Sequence, residues 1–84
     1  MNINKDVVAI NEALDNYYKA CYEVGYADGS ISILMDRISD TNNTDDIDSF
    51  KSSIERMKIE LEKTKLNRDK TRRLVKKAFE HYYS

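Results

Sequence analysis

Few residues in this chain have chemistry to offer. There is one histidine, His81, one cysteine, Cys21, and a run at 63–77, KTKLNRDKTRRLVKK, holding eight Lys or Arg against a single acid, Asp69. A metal centre needs several His, Cys or carboxylate ligands at one point. His81 has no second His or Cys near it, and the adjacent Glu80 does not share its helical face. A lone thiol in an apolar seam is expected to be a buried packing group, not a nucleophile. Gly25 and Gly29 sit in a helical pattern with no preceding strand, so they form no phosphate loop. The many carboxylates line an exposed ladder, and two packed helices leave little room for a substrate pocket. No catalytic, cofactor-binding or metal-ligating residue is assigned, and an enzyme is not expected.

The elements that must carry the basic run are helices. The 84 residues allow one small domain, 1–84. With 35% charged residues, two Gly and no Pro, they read as long uninterrupted helices. No apolar run approaches the roughly 18 residues of a membrane span. MNINKDVVAI lacks a signal-peptide layout, and one cysteine cannot make an internal disulfide, so a cytoplasmic location is expected. The heavy use of Asn, Lys, Ile, Asp and Tyr fits a phage or low-GC bacterial source.

Steps of three and four residues trace two apolar seams. The first runs Ile3, Val7, Ile10, Leu14, Tyr17, Cys21, Val24, Asp28, Ile31, Met35, Ile38, broken only by Asp28. The second runs Ile47, Phe50, Ile54, Met57, Leu61, Thr64, Arg68, Thr71, Val75, Ala78, Tyr82. The polar stretch SDTNNTDD separates them, with Thr44, Asp45 or Asp46 as the expected N-cap. The expectation is an all-α antiparallel two-helix hairpin: helix over about 3–38, turn 39–46, helix 46–83. Seam positions pair at a number sum near 85, and the first helix is expected to continue across Gly29. Asp28 and Arg68, the polar residues on the seams, are expected to set register.

In this frame the basic run divides. Lys51, Lys58, Lys65 and Arg72 each follow an acid by three residues (Asp48, Glu55, Glu62 and Asp69), and ion pairs of this kind support a helix. Arg56, Lys63, Lys70, Arg73 and Lys77 form another stripe, beside outward-facing Ile59 and Leu66. That combination is expected of a partner-binding face. On the first helix, Ala13, Ala20, Ala27 and Leu34 repeat every seven residues next to the seam, with Tyr18 and Tyr22 on other flanks. A lone hairpin would leave these wet, so they are read as an oligomer interface completing a four-helix bundle in a homodimer.

The charge layout agrees with a molecule that meets partners. Residues 1–50 carry ten acids and three bases, net −7, while 51–84 carry eleven bases and five acids, net +6. The leading expectation is a non-enzymatic interaction module, such as a small adaptor, chaperone-like subunit or inhibitor, with a protein partner and no membrane. Nucleic-acid binding through the basic stripe and a self-assembling structural subunit are the alternatives. In architecture alone the hairpin resembles WXG100-like type VII secretion partners and type III needle or co-chaperone subunits. Its turn has neither the Trp-x-Gly of the first nor the Pro of the second, so no family is assigned.

Overall fold

The computed structural model describes residues 3–83, with side chains from residue 5 onward. Two helices, α1 (Ile3–Asp40) and α2 (Thr44–Tyr83), account for nearly all of it. At about 1.5 Å per residue such helices are about 57 and 60 Å long. The molecule is accordingly a rod, 66 × 15 × 12 Å, with a radius of gyration of 18.8 Å. A globule of this length would have a radius near 12 Å. No third segment folds over α1 among the described residues. Nor is any described helix long and apolar enough to cross a membrane.

The turn is shorter than the polar stretch led one to expect, spanning only residues 41–43. Its cap is Asn43, not Thr44, Asp45 or Asp46. The Asn43 side-chain oxygen accepts from the backbone N–H of Asp45 at 2.9 Å and of Asp46 at 3.4 Å, and its carbonyl accepts from Ile47 N–H at 3.0 Å. The Asp45 and Asp46 N–H groups open the helix and have no intrahelical acceptor, so the side chain satisfies what the helix cannot. Asp45 and Asp46 then sit in the first turn of α2, where the helix dipole favours negative charge.

α1 is continuous through Gly29, as expected. Neither glycine takes a positive φ, and the Ser30 hydroxyl donates back to the Tyr26 carbonyl at 2.8 Å instead of capping a new helix. At the far pole, His81 Nε2 lies 3.7 Å from Asp6 Oδ1, which ties the ends of the two helices together and fixes them as antiparallel.

The seam of α2 is the expected one: Ile47, Phe50, Ile54, Met57, Leu61, Thr64, Arg68, Thr71, Val75 and Ala78 are all buried or half-buried, and only Tyr82 is more exposed. The seam of α1 is rotated. Ile10, Tyr17, Val24, Ile31 and Ile38 keep their places, but the alternate positions are Ala13, Ala20, Ala27 and Leu34. Val7, Asp28 and Met35 turn outward, with Leu14 and Cys21 half-covered at the edge. The seam position expected for Ile3 lies outside the described side chains.

The two columns meet along the antiparallel pair: Ala20 and Thr71 line one shared groove, Ala27 and Thr64 a second, and Leu34 and Met57 a third. Ala20 and Ala27 are each 1% exposed, and Thr71 and Thr64 each 7%. Small residues in the seam let the two helices approach closely without a void. Ala13, Ala20 and Ala27 thus take the places expected for Leu14, Cys21 and Asp28, and Leu34 that of Met35.

Candidate interaction surface

The rotation of α1 redraws the surfaces available to a partner. Ala20 and Ala27 are sealed against α2, while Ala13 and Leu34 are half-buried there. Ala20 and Ala27 therefore lie on no outer face of the hairpin, which corrects their assignment to an oligomer interface. Tyr18 and Tyr22 do face outward, at 62% and 73% exposure. Tyr26 and Ile33 continue their face at 66% and 56%. Asp28 is exposed and sets no register, because Ala27 occupies the seam in its place.

Arg68 is on the seam as expected. Its guanidinium escapes toward solvent to meet Asp69 at 3.5 Å, leaving the side chain 37% exposed. The aliphatic stem is half-covered in the seam while the charged head stays wet, the ordinary solution for a long cation at such a position. Hydrogen bonding to Cys21 holds the Tyr17 phenol above its usual pKa, with the Cys21 charge and partial burial adding to this. Arg72 and Arg68 oppose that shift, which places both bases within electrostatic reach of Tyr17.

On α2 the ladder of bases is half formed. Lys58 pairs with Glu55 at 3.5 Å and Lys65 with Glu62 at 3.6 Å, both exposed. Asp69, expected under Arg72, pairs with Arg68 instead. Lys51 and Arg72 make no ion pair among the described residues.

The stripe singled out from the sequence lies along one exposed side of α2, where Arg56 and Lys70 also border grooves shared with α1. Its residues fall one helical repeat apart: Arg56, Lys63, Lys70 and Lys77 in one column, Ile59, Leu66 and Arg73 in the next. Ile59 and Leu66 are 60% and 69% exposed. Arg56 Nη2 donates to Ser53 Oγ at 3.2 Å, and Arg73 Nε to the Asp69 carbonyl at 3.4 Å, both within the helix. Lys63, Lys70 and Lys77 are exposed and enter no ion pair among the described residues. Among the described residues, no three His, Cys, Asp or Glu side chains gather as a metal-holding group.

The alanine seam has a sequence signal of its own, the seven-residue repeat of Ala13, Ala20, Ala27 and Leu34 beside the expected seam. No family model matches this chain, and no curated protein and no solved structure matches it.

Proposed function

We propose that this protein is a non-enzymatic interaction module that acts by burying helix faces against other proteins, in the manner of a small adaptor, chaperone-like subunit or inhibitor. The observation that carries this reading is the pair Ile59 and Leu66, more than half exposed on a face that also holds Arg56, Lys63, Lys70, Arg73 and Lys77. Isolated exposed apolar residues are ordinary on a protein surface. Two in register along a 40-residue helix, bordered by cations, favour an acidic amphipathic partner helix. The hairpin itself works in pairs, two copies completing a four-helix bundle, in the cytoplasm.

The test is capture of protein partners from a lysate, with and without nuclease, by the native chain and by Ile59→Glu with Leu66→Glu. Both residues are exposed, so helicity and thermal midpoint should survive the exchange while capture is lost. Retained capture would remove this face from the reading. The same lysines without ion pairs give nucleic acid a foothold as the rival ligand. In that case capture would vanish with nuclease, and affinity would fall with salt at a log–log slope of about −0.9 for each phosphate neutralised on duplex DNA.

A further inference from the structure

Charge is parted between the two ends of α2. Residues 44–62 carry six acids and three bases, whereas residues 63–77 carry eight bases and one acid. The concentration is greatest at 70–77, KTRRLVKK, with five bases and no acid along about 12 Å of helix. Lys70, Arg72, Arg73, Lys76 and Lys77 are all exposed, and none enters an ion pair among the described residues. Like charges three and four residues apart, as Arg72 and Lys76 or Arg73 and Lys77 are, weaken a helix. The hairpin therefore gives up stability here for a charge it does not use itself.

The five bases do not share one side of α2. With Arg68, Thr71, Val75 and Ala78 in the seam, Arg73 falls opposite it, Lys70 and Lys77 on one flank, and Lys76 and Arg72 on the other. At 3.6 residues per turn they cover an outward arc of about 160°. α1 lies behind the seam. Its acids at this level, Glu12 and Asp15, are exposed on columns that turn away from α2. Lys19 and Glu23 of α1 border the groove beside Lys70, and their charges offset each other.

We propose that residues 70–77 form a phosphate-binding collar that seats α2 in the major groove of duplex DNA, without regard to base sequence. This goes beyond the protein-binding face at Ile59 and Leu66 and stands apart from it. A partner helix lies along one strip of α2, and a flat anionic surface neutralises only the middle of the arc, leaving Lys70 and Arg72 at its ends. A groove embraces the whole arc. The major groove is about 12 Å wide, an α-helix is about 10–12 Å across, and a row of phosphates runs along each rim. Lys70 and Lys77 then meet one rim, Arg72 and Lys76 the other, and Arg73 lies between them. The charge densities also match: the collar holds about one charge per 2.4 Å of axis, the duplex about one per 1.7 Å.

Fluorescence anisotropy of the full chain with a labelled DNA duplex of about 20 base pairs tests this, with a dissociation constant of about 1–100 μM expected at physiological salt. Five neutralised phosphates give a log–log salt slope of about −4.5, so affinity should fall on the order of 100-fold or more between about 50 and 200 mM salt. Arg72→Ala with Lys76→Ala removes one flank; it should weaken binding about ten-fold at low salt and make the slope shallower by about 2. Lys51→Ala with Lys58→Ala removes the same charge from the turn half and should leave affinity nearly unchanged. All four side chains are exposed, so circular dichroism should show the same helicity in both variants.

No binding of the duplex at low salt overturns the proposal. So does an equal loss from the two double variants, which would mean that any lysine on the rod serves. Poly-glutamate, or vesicles of phosphatidylserine and phosphatidylcholine, competing as well as the duplex at equal charge would put an acidic protein or a membrane in its place. Double-stranded RNA of the same length should bind more weakly, because its major groove is deep and narrow, and equal binding overturns the groove placement. Ile59→Ser with Leu66→Ser strips the protein-binding face without adding charge and should keep its affinity for the duplex. Loss of captured protein in that variant and loss of duplex in Arg72→Ala with Lys76→Ala are thus separate results, and either reading can fail alone.

Discussion

The seam between the helices is built in two ways along its length. Near the turn the seam is made of large apolar residues, Ile31, Leu34 and Ile38 on α1 and Phe50, Ile54 and Met57 on α2. Toward the open pole it holds Tyr17, Ala20 and Val24 on α1 and Thr64, Arg68 and Thr71 on α2. The threonine hydroxyls there donate to their own helix, Thr64 to the Leu61 carbonyl and Thr71 to those of Asn67 and Arg68, all at 2.9 Å. They are satisfied without contributing a bond between helices. The turn half therefore holds the larger apolar side chains of the seam, while the open half mixes small and polar residues into it. One hairpin combines a firm clasp with a looser shank.

That contrast can be broken most severely at its firm end. Ile54→Ala removes a 7%-exposed side chain from the turn half and should cost about 2–4 kcal/mol in a urea titration. For so thin a core this is enough to leave much of the chain unfolded at 25 °C. An Ile54→Ala loss below about 1 kcal/mol would mean the two halves do not differ as described.

Asn43→Ala acts on the same clasp through the backbone. It strips the acceptor from the Asp45 and Asp46 N–H groups and should cost about 1 kcal/mol, read as a lowered urea midpoint with unchanged slope.

At the open end the sign should reverse. Arg68→Leu replaces a half-buried cation with a fully apolar layer and should stabilise the hairpin by about 1 kcal/mol. Amide hydrogen exchange gives the same contrast without mutation, with amides near Thr71 exchanging earlier than those near Ile54. The smallest effect belongs to the exposed ladder, where Glu55→Gln should cost no more than about 0.5 kcal/mol and less at high salt.

How legible the seam was depended on how many apolar columns each helix offered. On α2 charges occupy most outer columns, so the three-four step from Ile47 admitted one solution and found it. α1 offered two, one through Leu14, Cys21, Asp28 and Met35, the other through Ala13, Ala20, Ala27 and Leu34. Side-chain size favours the first series. The choice was made by close approach, a property of both helices together that no single-helix period contains. The cap was misplaced for a related reason: SDTNNTDD holds several competent capping residues, and only the geometry of a turn limited to 41–43 selects Asn43. The α2 basic stripe was legible because exposure there follows from the seam alone.

The Asp6–His81 contact at the open pole carries a mechanical consequence. Both ends of the hairpin leave from the same place, so tension applied across them acts on one layer at a time instead of shearing all layers at once. The loose half meets that load first. Under force the rod should peel from the open pole and stall where Ile31, Leu34 and Ile54 begin, making the turn half a catch that holds after the shank has opened.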